Sequence, residues 1–496
     1  MARKPAIGEG LGRLDVGRRE MIASRQEGRV EGAAVRSYWL EEALAVEGDV
    51  ARTPALSGEV NADVCIVGGG YTGLWTAINL KRLSPSADVV LLERDICGAG
   101  ASGRNSGFIM SWWSKFSTLK KVVGAQAALS LCRASASAVT EIGDFCREHE
   151  IDIDYRYDGW LWAASNRFQI GAWRTAIEEL AAHGEHPFLE LSAARIAELA
   201  GTPGFVAGVL EPTVATIQPA RLARGLRRVA IERGVRIFED SRMTKLERAT
   251  PPVAHTRHGR VTAKAIVLAM NAWAASLPEL RRKLVVTSTD VLVTEPIPER
   301  LRELGWTNGL GITDARRLVN AYRPTVDGRL TLAKGGGSLI FAGRLGDRYD
   351  GPSRRVEEVL GEFRRVYPML GDVRHEGAWR GPIDYSVSGM PYFGSLGGRG
   401  DIVVAAGYSG NGVGPSYLGG QVLAGLASGI RTGFAGDVLT RESPRRLPPE
   451  PLRYLGGRMV RGAIARREVM EDRGLTAGLL TRTIASLDPT SFIDRN

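Results

Sequence analysis

The chain has 496 residues, of which 65 are Lys or Arg and 55 are Asp or Glu, for a formal charge of +10. That length suits two or three domains, and the composition is that of an ordinary globular protein. The basic residues are interspersed with acidic ones and form no long block. This argues against a nucleic-acid partner and favours an anionic cofactor or substrate.

The opening MARKPAIGEGLGRLD lacks an apolar signal core, and no run of about eighteen apolar residues follows, so neither export nor a membrane span is expected. Cys65, Cys97, Cys132 and Cys146 show no Cys-x-x-Cys spacing, which argues against zinc or a redox pair. A reducing cytoplasm is the expected compartment.

Residues 1–35 are rich in Gly, Arg and Glu without periodicity and read as a mobile lead. Ser37–Ala45 reads as a short helix. The chain's most informative stretch follows, from Ala62 to Phe108. An apolar run, Val64–Val67, predicts a buried parallel strand. Gly68, Gly70 and Gly73 stand at G-x-G-x-x-G spacing ahead of an amphipathic helix, Leu74–Leu83. A second apolar run, Val89–Leu92, ends in Glu93. Gly68 permits a tight turn, Gly70 lets the backbone approach a pyrophosphate, and Gly73 lets helix and strand pack closely. The helix N-terminus favours phosphate charge, and Glu93 suits a ribose hydroxyl. Gly98–Gly107, GAGASGRNSG, is too rich in small residues for core packing and reads as a second backbone-led cofactor loop.

Helices are expected over Thr118–Gly124, Ala127–Glu150 and Ala220–Arg233. Strands are expected over 159–165, Val235–Phe238, Ser241–Glu247, Val261–Leu268, Leu284–Thr294, Leu330–Lys334 and Ser338–Phe341. Near the end, IVVAAGYSGNGVGPSYLGGQVLAGLASG over 402–429 repeats the opening design of strand, glycines and helix, with Pro415 in the first turn. Arg453–Met470 reads as a helix whose Arg458, Arg461, Arg466 and Arg467 make it basic. Packing on its own protein or on a partner subunit is the favoured reading of that helix; contact with a membrane surface is the less favoured one. His183 with His186, and His255 with His258, stand in polar stretches without cysteine, so no metal site is expected, and His375 reads as a local structural residue.

With these pieces assembled, the chain resembles the D-amino-acid-oxidase-type family of FAD-dependent oxidoreductases, within it the gamma-glutamylputrescine-oxidoreductase-like and glycine-oxidase-like members. The carriers are ADVCIVGGGYTGL at 62–74, LLERDICGAGASGRNSG at 91–107, VLAMNAW at 267–273, RPTVDGRL at 323–330, WRGPIDYSVSGMPYFG at 379–394 and AAGYSGNGVG at 405–414. The resemblance implies an α/β fold. It would join a discontinuous Rossmann-like FAD domain of the glutathione-reductase type (61–146, 212–284 and 386–440) to an α+β substrate domain on a mixed sheet (147–211 and 285–385). An N-terminal extension (1–60) and a helical tail (441–496) would flank them.

By the same resemblance, Gly68, Gly70, Tyr71, Thr72 and Gly73 would serve the pyrophosphate, and Glu93 and Arg94 the adenosine ribose. Ala101, Ser102, Arg104, Asn105, Ser106 and Gly107 would line the pyrophosphate and flavin. Asn271 would lie by the adenosine half, and Gly407, Gly410, Asn411, Gly412, Val413 and Gly414 would meet the flavin's pyrimidine edge. Many relatives have His where Asn411 stands. The Cys or His through which some relatives bind FAD covalently is absent, so non-covalent FAD is implied.

Flavin amine oxidation asks the protein to orient a neutral amine, exclude water and set its protonation; hydride passes to flavin N5 and water hydrolyses the imine. Candidates for these tasks are Arg380, then Arg323, as a clamp on a substrate anion, Lys334 for oxygen activation, and Trp112, Trp113, Tyr385 and Tyr408 as aromatic walls. Salt bridges or core packing are the competing readings of each. The implied activity is oxidation of the C–N bond of a small amine or amino acid, with O2 as acceptor. A quinone-linked dehydrogenase and a non-catalytic flavin-binding protein are the alternatives.

Overall fold

The computed structural model describes residues 36–48, 52–346, 351–430, 439–440 and 446–488; the glycine- and arginine-rich lead over 1–35 lies outside them. Its architecture follows from two sheets. The first runs Tyr392–Leu396, Arg399–Ala406, Gly259–Leu268, Gly58–Val67, Val89–Leu92, Arg236–Phe238. Along this order all neighbours are parallel except the Tyr392–Leu396 edge, and Val253–His255 and Lys245–Glu247 extend the sheet by antiparallel pairing from Gly259–Leu268. Its strands read as unbroken apolar runs because both faces are covered. Val64, Ile66, Val89, Leu91, Ala265 and Val267 pack into one core under the helices Tyr71–Leu83, Ala125–Glu148, Pro219–Glu232 and Val413–Ser428. Cys65, Val67, Val90, Leu92, Ile266 and Leu268 pack into the core on the opposite face. The alternation is the two-residue period of a strand. All four cysteines are buried free thiols.

The second sheet runs His375–Ser386, Leu284–Thr294, Leu330–Lys334, Asn320–Pro324, Gly311–Asp314, Trp160–Ala164, Ala207–Glu211, Leu189–Leu191. It is mixed, with Gly311–Asp314 and Trp160–Ala164 parallel and the other pairs antiparallel. Helix Val356–Val366 packs on its outer face through Val359, Leu360 and Phe363. Thus segments within 58–92, 236–268 and 392–406 build one sheet, and segments within 160–211 and 284–386 build the other.

Two strand expectations change. Ser338–Phe341 is not a strand: Leu339 makes only an isolated bridge to Thr287, and a short turn over Phe341–Gly343 follows. Three glycines just before it, Gly335–Gly337, bend the chain off the sheet. Only Lys245–Glu247 of the 241–247 stretch is extended, because Ser241 instead binds the backbone of Glu93 and Leu56.

The Pro219–Glu232 helix is stitched to its surroundings by charge. Glu239, almost fully buried, accepts from Arg224 at 3.2 Å, Arg227 at 3.0 Å and the Cys97 amide at 2.8 Å. Burial pushes its carboxyl upward, but the Cys97 N–H and the two guanidiniums outweigh this and hold it below the usual carboxylate range. Its stabilising contribution is therefore present above about pH 4.5 and is lost as the pH falls through the depressed value. Glu239→Gln leaves Arg224 its pair with Glu47 at 2.6 Å but leaves the buried Arg227 only Glu47 at 3.8 Å, and we expect a loss of about 3 kcal/mol in urea unfolding at neutral pH, shrinking toward pH 3.

Candidate active site

Two glycine-led turns converge on one cavity. In the first, Gly68 has φ +114°, and a Cβ there would meet the Ala269 carbonyl oxygen at 2.4 Å. A Cβ on Gly73 would fall 1.9 Å from the Gly68 carbonyl oxygen, so only glycine lets the helix sit on the strand end. Gly70 caps the Tyr71–Leu83 helix without a side-chain acceptor. Ser102 accepts from the Tyr71 amide at 2.9 Å, while the remaining first-turn amides have no acceptor within the helix. Glu93 is buried, and its carboxylate takes the amides of Gly69 at 2.7 Å and Asp95 at 3.0 Å. Burial raises its pKa against those two donors. Beside it the Arg94 guanidinium lies 3.9 Å over the Trp273 ring, just past Asn271, which adopts φ +47°.

The Ala101–Gly103 turn follows. Arg104 donates to the carbonyls of Ala99 at 2.9 Å and Arg380 at 3.1 Å, and Asn105 folds its amide back on Ala101 and Ser102. Ala101, Ser102, Arg104, Asn105 and Ser106 line the cavity. Gly107 does not line it; its φ of +77° lets the chain pass 2.2 Å, measured from an added Cβ, from the Ile217 carbonyl oxygen.

The second turn leaves the Arg399–Ala406 strand with positive φ at Gly407, Ser409 and Gly410. Asp384, fully buried in the His375–Ser386 strand of the second sheet, accepts from the Gly407 amide and takes the Ser409 amide on its own carbonyl. Its Oδ1 has no partner, and burial pushes the carboxyl up to about 7. The Tyr408 hydroxyl lies 2.7 Å from the Thr72 hydroxyl, which ties the second turn to the first helix. Asn411 donates to the Ser111 carbonyl at 3.3 Å. Gly410, Asn411, Gly412 and Val413 line the cavity; Gly407 and Gly414 lie behind them, Gly414 against the Met110 carbonyl. The cavity, of about 1650 Å³, also takes in the inner face of the second sheet.

Residues 63–426 match the family described as DAO, FAD dependent oxidoreductase. The chain belongs to this family. It is 31% identical over 413 residues to gamma-glutamylputrescine oxidoreductase of Escherichia coli (strain K12), covering 82% of this chain and 91% of that one. Glycine oxidase of Geobacillus kaustophilus is 25% identical over 385 residues, 75% of this chain and 94% of its own. The crystal structure of glycine oxidase from Geobacillus kaustophilus superposes with a TM-score of 0.64 at 22% identity, covering 77% of this chain and all of that one.

Membership makes the protein an FAD-dependent oxidoreductase, and the two turns fit the cofactor. The space kept open by Gly70, which a Cβ would fill to within 2.9 Å of Ser102, suits a pyrophosphate. The Glu93 carboxylate and the Arg94–Trp273 stack lie beside it in the cavity wall, suited to the adenosine half. The Val413–Ser428 helix N-terminus suits negative charge on the flavin.

Several expected substrate residues lie elsewhere. Asn320, Lys334, Asp290 and Arg380 are direct cross-strand neighbours and form one buried polar row on the outer face of the second sheet. Lys334 donates to Asn320 and Glu362, both at 3.2 Å, and Arg380 stands 3.8 Å from Asp290. Neither reaches the cavity, because the strand period places them behind Ala333 and Gly381, which do. Arg323 shares the inner face with Ala321, but Ser106 at 2.6 Å and Ile217 at 2.5 Å take its donors through their carbonyls, and the Trp39 ring covers it. Burial pulls its guanidinium down to about 9, still a cation at neutral pH, with its charge enclosed in the domain junction. Trp112 and Trp113 are core residues under the Ala125–Glu148 helix, not walls. Tyr385 and Tyr408 line the cavity.

The sequence patterns pass over Trp273, Asp384 and Thr287. The first two stand within the quoted motifs, and Thr287 is marked by alternation along Leu284–Thr294, with a buried hydroxyl that has no partner. That alternation also carries a warning: Arg380 and Tyr385, five apart on one strand, belong to opposite faces.

Two outcomes follow. Gly70→Val is expected to weaken FAD about 100-fold or more, an effect near 3 kcal/mol, measured by fluorescence titration of the apoprotein. Asp384 has a folded pKa above its unfolded value of 3.8. Its stabilising contribution is thus full below about pH 4 and lost as the pH rises through 7. Between pH 5 and 8 the wild type should lose about 3 °C or more of melting temperature relative to Asp384→Asn; parallel curves would refute this account of Asp384.

Proposed function

We propose that this protein oxidises the C–N bond of a small amine or amino acid, giving an aldehyde or keto acid and the released amine. Molecular oxygen is the acceptor and is reduced to hydrogen peroxide. The observation that carries this reading is the character of the sheet face over the cavity. Val291, Ala321, Ala333 and Gly381 are small and uncharged, Thr287, Thr289, Thr313 and Tyr385 offer neutral polar atoms among them, and Asp314 and Asp384 are the carboxyls of this sheet that reach the lining. Such a wall suits a neutral amine brought close to the cofactor with water displaced, and this chemistry does not require a general base. FAD supplies the two-electron acceptor. The printed names of gamma-glutamylputrescine oxidoreductase and glycine oxidase support the substrate class. Non-covalent attachment is supported by the lining itself, which contains neither Cys nor His. In this reading Tyr385 orients the substrate, and Tyr408, bonded to Thr72, holds the second turn against the first helix.

A second reading keeps the same oxidation but passes the electrons to a quinone at a membrane surface. It is favoured by Leu452, Leu455, Met459, Leu479 and Leu480, exposed beside arginines on the two C-terminal helices. Among the described residues no helix is long and apolar enough to cross a membrane.

An anaerobic screen of amines and amino acids is expected to bleach the flavin with at least one of them, and in air to yield peroxide in step with aldehyde or keto acid. Bleaching without oxygen uptake, together with reduction of a quinone, would replace the first reading with the second; no bleaching with any amine would remove both. Tyr385→Phe should lower kcat/KM about tenfold, the worth of one hydrogen bond near 1.4 kcal/mol, with FAD content unchanged.

A further inference from the structure

The family match ends at residue 426, yet the cavity does not. The helix Leu452–Asp472 lies across it, and Leu452, Gly456, Val460, Arg461 and Ile464 line it at spacings that place them along one side of the helix. Gly457 passes close enough to Leu339 that a Cβ there would stand 3.1 Å from its side chain. The helix is latched in this position by buried polar contacts. Glu468 accepts from the Leu318 amide at 3.0 Å, Asp472 from Arg316 at 2.5 Å, and Asp472 also from Asn166 at 2.9 Å.

Among the arginines at this end of the cavity, two are already neutralised. Arg316 lies 3.0 Å from Asp314 and 2.5 Å from Asp472, and Arg453 lies 2.5 Å from Glu450. Arg461 differs. It is half-buried and is anchored through Nε to the Gly336 carbonyl. Among the described residues no carboxylate stands within ion-pair distance of it. Arg355 and Arg458 stand near enough to add positive potential, which Glu358 and Asp290, paired with Arg355 at 2.7 and 3.2 Å, partly offset.

We propose that Arg461 is the anion-recognition residue of this enzyme: with Nε fixed, its guanidinium fork binds a carboxylate or phosphonate at the end of the substrate remote from the reacting carbon. Strand pairing supplies the spacing. Tyr408 bridges Tyr385, Thr287 on the next strand faces Ile383, and Thr287 in turn bridges Leu339 beneath the helix. Two strand spacings, about 10 Å, thus separate the Tyr385 strand from the segment under Arg461. A short ω-amino acid or aminoalkylphosphonate spans that interval with its amine beside Tyr385. A guanidinium suits this task because it offers parallel donors to two oxygens and keeps its charge when partly buried. The identity of the far end as an amine rests on the amine-oxidation reading above; the anion site does not.

The test is anion binding to the FAD-loaded full chain by calorimetry, with glutarate and propylphosphonate as separate probes. The wild type is expected to bind at least one, and their relative affinity tells which head group the site prefers. Arg461→Gln should weaken that binding ten- to hundredfold and Arg461→Lys by less, with flavin content and melting temperature unchanged. Arg482→Gln, at an exposed position on the last helix, should behave as wild type. No binding of either probe to the wild type, equal binding by wild type and both Arg461 variants, or an equal loss in Arg482→Gln would overturn the proposal. If Arg461→Gln unfolds the helix, Arg461→Lys decides alone, and binding equal to wild type by that variant overturns the claim for the fork. Arginine-dependent anion binding with no amine able to bleach the flavin would remove the amine-oxidation reading and leave this site standing; bleaching by neutral amines with no anion binding would do the reverse.

Discussion

The structure depends on how closely two helices lie side by side. A Cβ on Gly420 would stand 2.4 Å from the Cβ of Trp75, so the Val413–Ser428 helix can lie against Tyr71–Leu83 only through glycine. Each helix begins at a glycine-rich turn off the same parallel sheet. Their contact therefore brings two unsatisfied N-termini to one cavity, and the Thr72–Tyr408 hydrogen bond fixes their relative position. Partial positive charge from both ends acts on a ligand that neither turn could hold alone. The residues that wall the remainder of the cavity have only to complete a site whose electrostatics are already set.

The second sheet divides its two faces between separate tasks. Its outer face carries the row Asn320, Lys334, Asp290, Arg380, closed by Glu362 and Arg355, and this network ties strands to the helix Val356–Val366. Buried ions of this kind are costly unless every partner is in place, which is reason enough for so many polar residues to stand together. The inner face is left small and largely uncharged. The separation leaves Lys334 and Arg380 on the face turned away from the cavity.

The open end of the cavity is covered by a segment beyond the two sheets. The C-terminal helices reach back over the sheet, and their attachment runs through Glu468, Asp472 and Arg316 rather than through a large apolar interface. The helix that carries Arg461 sits outside the part of the chain that matches the family.

Local chemistry determined much of this protein in advance of its structure. Gly68, Gly70 and Gly73 each serve a requirement imposed within a few residues, and so does the second glycine turn before Val413; those positions, the strands they end and the helices they open are legible from spacing alone. Strand runs such as Leu284–Thr294 and Leu330–Lys334 are equally legible, since both are set by unbroken apolar or alternating pattern. Which side a charged residue faces is another matter. Arg380 and Lys334 are turned outward by the registers of four strands, Arg323 is sealed by carbonyls some hundred residues or more away in the chain, and Trp112 and Trp113 are buried by a helix that follows them. Arg461 stands over the cavity because Glu468 and Asp472 find partners on two distant loops. Motifs whose physics is contained in a short span belong to the sequence; the exposure of a side chain to a cavity is settled only when remote segments close around it, because burial and pairing are properties of the whole packed chain.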